Sequence, residues 1–231
     1  MKDIAALGRS TLSESEGKRA IAAWGIAGTR EVLADSADAA VKAAQQLGYP
    51  VALKADSPDI LHKTEAGVVR LNLRDESDVR DAYRDVMANA ARNAPTAKIS
   101  GALVQEMVSG GVEVIVGVSY DAQLGPMLLF GSGGVMVEVY NDIALRHCPI
   151  DRREALDMIA EVKGAKLLRG FRGKPAADVD ALADALVRVS HLAVHFEGNL
   201  AELDVNPLMV LPAGQGVKAV DALLVLRSDA R

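Results

Sequence analysis

The sequence predicts an α+β protein in two lobes, divided near residue 97. Three observations lead there. Residues 13 to 90 read as helix, strand, helix, strand, loop, strand, helix. Residues 112 to 150 hold four short apolar runs with Gly or Asn-Asp turns between them, the pattern of an antiparallel meander and an argument against a doubly wound parallel sheet. Hydrophobic residues make up 50% of the 231, enough for one large core or two intimate ones.

Taken in order, Ser13-Glu-Ser-Glu16 reads as a capping box opening a helix that stops at Gly25. Residues 29–34 suit a strand, and Ser36 caps a second helix ended by Gly48. Pro50 opens the apolar run 51–54, and an alternating strand follows at 69–73. Ser77 begins a third helix with Val79, Ala82, Tyr83, Val86 and Ala90 on its apolar face. Strands are expected at 99–108, 112–120, 126–130, 135–140 and 143–150, then a helix over 151–162 and a Gly-, Lys- and Arg-rich connection to Pro175. Asp178 to Phe196 is the clearest amphipathic helix. A terminal hairpin pairs 200–211 with 217–226.

Composition narrows the partners. Aromatic residues are only 3% and the net charge is −5, against a base-stacking or phosphate-backbone binder, so no nucleic acid is expected. No stretch approaches the ~20 apolar residues that span a bilayer, and residues 1–12 carry no secretory pattern; no membrane association is expected. The single cysteine, Cys148, cannot form an internal disulfide, which fits a reducing cytoplasm.

Two stretches carry the chemistry. In Tyr49 to Val68, Lys54 closes an apolar strand, where its stem lies in the core and its ammonium at the rim can meet a phosphate. Ser57-Pro58 then turns the chain into a loop bearing His62, Lys63 and Gly67. The same residues also suit an ordinary surface loop. In the terminal hairpin, Glu202, Asp204 and Asn206 are spaced by two and share one strand face, which Asp221 on the partner strand can join. Such hard oxygens suit Mg²⁺, which takes one or two carboxylates plus substrate phosphates; a solvated polar face is the alternative. Gln105 to Glu113 is a strand running into a glycine turn. Its main chain can pair with a flat heterocycle and Glu113 with sugar hydroxyls, or it is a plain hairpin. Gly131-Ser-Gly-Gly134 lacks the phosphate-loop lysine and reads as a tight turn. His191 and His195, four apart on a polar helix face, have no third zinc ligand in sequence and read as exposed. Arg146, inside an apolar run, needs an anion: a carboxylate or a bound phosphate.

Six motifs stand in order: Tyr49-Pro-Val-Ala-Leu-Lys54, Ser57-Pro-Asp-Ile-Leu-His-Lys-Thr-Glu-Ala-Gly67, Val104-Gln-Glu-Met-Val108, Phe130-Gly-Ser-Gly-Gly134, Leu168-Arg-Gly-Phe-Arg-Gly173 and Glu202-Leu-Asp-Val-Asn-Pro207. Together they resemble the ATP-grasp region of ADP-forming acyl-CoA synthetases, distant relatives of the succinyl-CoA synthetase β subunit, from about Ser13 to Leu226. The resemblance implies an ATP-grasp fold: two α+β lobes, 1–97 with the phosphate lysine and histidine loop and 98–231 with the metal-binding hairpin, and the nucleotide site between them. It implies that Lys54 binds ATP phosphates, the main chain at Glu106 and Val108 holds adenine, and Glu113 holds ribose. Asp204, Asn206 and Asp221 would hold Mg²⁺. His62 would carry a phosphoryl group between the nucleotide and a distant acyl site, and Arg146 would contact phosphate. Val68 departs from the family, which often has a second glycine there.

The implied activity is that of the ATP-binding β subunit of an ADP-forming acid–CoA ligase in the cytoplasm, working with ATP/ADP, Mg²⁺, CoA and a small carboxylic acid. Its partner would be an α subunit carrying the CoA-binding and acyl-site domains, in an α2β2 or similar assembly. Two other readings use the same nucleotide residues. One is a stand-alone carboxylate–amine ligase, with no need for His62; the other is a non-catalytic nucleotide-binding regulatory module.

Overall fold

A computed structural model describes residues 10–60, 63–134, 141–170, 173 and 175–227. The expected strand at 135–140 and His62 lie outside them. Two compact units are formed. One holds Ser13–Ser15 and Thr29–Ser109; the other holds the described residues of Met1–Leu12, Glu16–Gly28 and Gly110–Arg231.

In the unit centred on residues 29–109, four antiparallel strands lie in the order β1 (Glu31–Ala34), β4 (Gly101–Glu106), β2 (Val51–Asp56), β3 (Val69–Leu73). After a first helix, α1 (Glu14–Ala22), helices α2 (Ala37–Leu47) and α3 (Glu76–Asn93) pack on this sheet. Ser36 caps α2, accepting from the Ala39 N–H, and Gly48 closes it in the left-handed region (φ 89°), where glycine pays no Cβ penalty. Asp75, not Ser77, caps α3, since its carboxylate reaches the Asp78 N–H that the serine lies too late to serve. Val51, Leu53 and Ala55 of β2 join Ala102 and Val104 of β4 in the core beneath the helices. Lys54 and Asp56 point the other way, as strand alternation requires.

Two expectations change here. The run at 51–54 continues to Asp56 with every residue buried, because residues 13–15 satisfy its polar side chains. The division at 97/98 also moves: β4 pairs on both sides within this sheet, so the boundary falls after Ser109, and residues 16–28 group with the later part of the chain.

The second unit holds a six-stranded sheet in the order β10 (Leu223–Leu226), β8 (Leu200–Val210), β5 (Val112–Asp121), β6 (Gly125–Ser132), β7 (Ile143–His147), with β9 (Val217–Ala219) also on β8. The meander is present as β5–β6–β7, and all these pairings are antiparallel. One face, lined by Val116, Phe130, Leu203 and Val205, shares a core with Leu182 and Leu186 of α5 (Val179–His195). Helix α4 (Arg152–Glu161) starts in a complete capping box of Asp151 and Glu154. The connection after it coils into a 3₁₀ helix, Lys163–Arg169. The return strand of the terminal hairpin is broken at 220–222, dividing it into β9 and β10. Among the described residues no helix is long and apolar enough to cross a membrane.

Asp142, legible only as a turn residue, proves structural. Its buried carboxylate accepts from the Ser132 hydroxyl (2.8 Å) and the N–H groups of Lys163 (2.8 Å) and Gly164 (2.7 Å), tying the end of β6 to the 3₁₀ helix. Burial pushes its carboxyl up, but these donors outweigh burial and hold it below the usual range. A depressed carboxyl adds stability above its unfolded value and loses it as pH falls. Asp142→Ala should therefore cost about 1–3 kcal/mol at pH 7 by leaving buried donors unmatched. The deficit in melting temperature should shrink towards pH 3, and an unchanged melting curve at pH 7 would overturn this assignment.

Candidate functional site

Lys54 does not reach a rim. Its side chain is 7% exposed, and its ammonium donates to Glu14 Oε1 at 2.8 Å; the Glu14 side chain is 1% exposed. Lys63, the neighbour of His62, places its Nζ 3.2 Å from Glu14 Oε2. Asp56, on the same face of β2, accepts from the N–H (3.3 Å) and hydroxyl (3.1 Å) of Ser15. Sequence reading took residues 13–16 only as a helix start, so Glu14 was missed. The signal available was a second acid in that motif, beyond the one a capping box needs.

Glu106 ends β4, and Met107 and Val108 are half-buried beyond it. The Glu106 N–H donates to the Arg30 carbonyl, and its carboxylate accepts from the Arg30 N–H (3.0 Å) and Nε (2.6 Å). The strand end assigned to a heterocycle is thus held in place by a residue that sequence reading did not single out.

In the other unit, Glu113 is exposed near the start of β5, and its carbonyl accepts from the Gly133 N–H at 3.0 Å. A side chain at Gly133 would sit 2.7 Å from that carbonyl, so the Gly-Ser-Gly-Gly run serves close backbone approach. A cavity of about 30 Å³ lies here, lined by Glu113, Phe130, Ser132, Gly133, Gly164 and Leu168 among others.

The oxygen-bearing face of β8 is as the spacing predicts. Glu202, Asp204 and Asn206 alternate with buried Leu203 and Val205. Asp204 lies between Gly117 of β5 and Leu223 of β10 in register, so no side chain crowds it from β5. The Asn206 N–H donates to the Asp221 carbonyl at 3.3 Å, drawing the break in the hairpin onto this strand. Burial, then the charges of Glu202 and Asp221, push the Asp204 carboxyl up to about 6. Like charges gathered in partly desolvated surroundings favour a cation. Among the described residues no three His, Cys, Asp or Glu side chains gather to hold a metal alone. Two carboxylates and an amide around a cation would leave its other positions to phosphate and water, as Mg²⁺ commonly takes them.

Arg146 stands apart. It pairs with both oxygens of Glu161, one contact at 3.2 Å, and is 27% exposed. It lies on β7, separated from β8 by β5 and β6, in register with Leu128 and on the sheet face opposite Asp204. Of the two anions its position called for, the structure supplies the carboxylate. His191 is exposed, and His195 meets Trp24 at a tilt and Phe196 edge-on, at 5.3 and 4.6 Å between centroids.

Between the ordinary carboxylate value near pH ~4 and about 6, the folded metal-free chain binds more protons than the unfolded one. Its stability therefore falls as pH rises across that window. Asp204→Asn should melt at least ~2 °C above the parent at pH 7.5 without metal and show no gain at pH 4. An equal shift at both values would overturn the electrostatic account.

Comparison with known proteins bears on the whole chain. The ATP-grasp domain family matches residues 3–226. Acetate–CoA ligase [ADP-forming] II subunit beta of Pyrococcus furiosus is 38% identical over 227 residues, covering 98% of this chain and 96% of the relative. Acetate–CoA ligase [ADP-forming] I of Archaeoglobus fulgidus is 45% identical over 93% of this chain, which spans 31% of that longer protein. The acetyl-coenzyme A synthetase 1 of Ca. Korarchaeum cryptofilum, solved with coenzyme A and Ca-AMPCP, superposes with a TM-score of 0.92 at 44% identity, covering 97% of each chain. A second structure of it, with coenzyme A and Mg-AMPPCP and its phosphohistidine segment pointing towards the nucleotide site, gives 0.82 at 40% identity over the same shares. The fold is ATP-grasp, and the chain belongs to the ATP-grasp family of ADP-forming acyl-CoA synthetase β subunits.

Proposed function

We propose that this chain is the ATP-binding β subunit of an ADP-forming acid–CoA ligase, catalysing acid + CoA + ATP ⇌ acyl-CoA + ADP + phosphate with an α partner. The observation that carries the proposal is the β8 face, where Asp204 is pushed to about 6 by burial, Glu202 and Asp221. Asp204, Asn206 and Asp221 would hold Mg²⁺, which when bound neutralises charge on the nucleotide phosphates. Lys54 brings a buried ammonium to the phosphates. The main chain at Glu106 and Val108 holds the adenine, with Glu106 steadied by Arg30, and Glu113 accepts from the ribose hydroxyls.

His62 is the phosphoryl carrier. A ring nitrogen bonds to the γ-phosphorus as the bond from phosphorus to the bridging oxygen breaks, and the electron pair leaves with ADP. A neutral imidazole suits this role near pH 7. The phosphoryl group is then passed to the acyl site. The Korarchaeum phosphohistidine segment supports this role, and the pairing of Arg146 with Glu161 supports a structural part for that arginine. The Pyrococcus relative is a β subunit and the Archaeoglobus relative extends well beyond the matched region, which supports a partner supplying CoA and acyl sites in an α2β2 or similar assembly. A cytoplasmic location accords with the one cysteine, Cys148, free and buried.

With the α partner present, His62→Ala should lose at least ~10³-fold in acyl-CoA synthesis and retain no label from γ-labelled ATP. Undiminished synthesis would overturn the relay.

A further inference from the structure

The Glu14 carboxylate touches two ammonium groups, one per oxygen: Lys54 through Oε1 at 2.8 Å and Lys63 through Oε2 at 3.2 Å. The three side chains are 1%, 7% and 12% exposed. Asp56, the other carboxylate on this face of β2, accepts from the N–H and hydroxyl of Ser15. Lysine carries a flexible four-carbon stem, and a ligand that meets it loose must also order it. Glu14 orders the stems of two lysines together.

We propose that Lys63 is a second phosphate-binding ammonium and that Glu14 is the positioning residue presenting Lys54 and Lys63 as a pair to a nucleotide polyphosphate. This rests on the reading of Lys54 as a phosphate ligand. Glu14 touches no phosphate; it acts through the two lysines. Lys63 thereby has a task apart from that of His62 beside it.

The test is calorimetric binding of Mg-AMPPCP to the full chain. Lys63→Met is expected to weaken binding about ten-fold or more, the loss of one charge-assisted contact. Glu14→Gln should weaken it about ten-fold, with Glu14→Asp restoring most of the affinity. In a Lys54→Met background Glu14→Gln should cost markedly less, because the two residues act as one unit. Ser15→Ala, which loosens the same segment from Asp56 without touching an ammonium, should lower the melting temperature and leave affinity unchanged. Wild-type affinity in Lys63→Met, full additivity of Glu14→Gln with Lys54→Met, or an equal loss in Ser15→Ala would each overturn the proposal. Should Glu14→Gln fail to fold, Lys63→Met and Glu14→Asp decide the matter alone. Unchanged binding in Lys54→Met alone would instead overturn the reading of Lys54 beneath it.

Discussion

A charged residue inside a strand with no exposed position has to be answered by an opposite charge, and Lys54 is answered by Glu14. An ammonium buried without a partner would cost several kcal/mol or lose its proton. That requirement explains why residues 13–15 group with a sheet whose first strand begins only at Glu31. It also explains why β2 can run on through Asp56: Ser15 supplies the donors that a second buried charge needs. The helical faces of the sheet are ordinary amphipathic packing, whereas the opposite face is ordered by charge.

Local chemistry was the legible part of the sequence. Ser36 and Gly48 bound their helix as read, because capping involves neighbours three or four residues away. The meander and the alternation of Glu202, Asp204 and Asn206 with Leu203 and Val205 were legible for the same reason, since period two needs no distant partner. The family resemblance supplied the fold, which no single motif carried. What sequence could not display were pairings across long separations. Glu14 meets Lys54 forty residues on, Asp142 meets Gly164 across a helix, and Glu161 completes Arg146 from the far end of α4. Each looked like a cap, a turn or a lone charge until the fold supplied its partner. The place of Gly101–Glu106 in the first sheet was hidden likewise, because strand order is a tertiary property.

The two units handle charge in opposite ways. In one, opposite charges are joined within the chain, and the result is an ion-paired cluster around Glu14. In the other, like charges are gathered on β8 with the buried row of Leu203 and Val205 behind them, and the protein tolerates a protonated or strained carboxylate at Asp204. Such local sacrifice of stability is where binding sites are expected. Asp142 is the useful contrast: buried as well, yet supplied with three donors, it is a support and not a site.

The enclosure of Lys54 has a further consequence for a protein of this family. Enzymes that handle activated acyl groups work amid mixed anhydrides and thioesters, which acylate amines that are accessible and unprotonated. An amine held 2.8 Å from a carboxylate, on a side chain only 7% exposed, is poorly accessible to such electrophiles. Glu14 thus shields from adventitious modification a lysine whose neutralisation would be permanent.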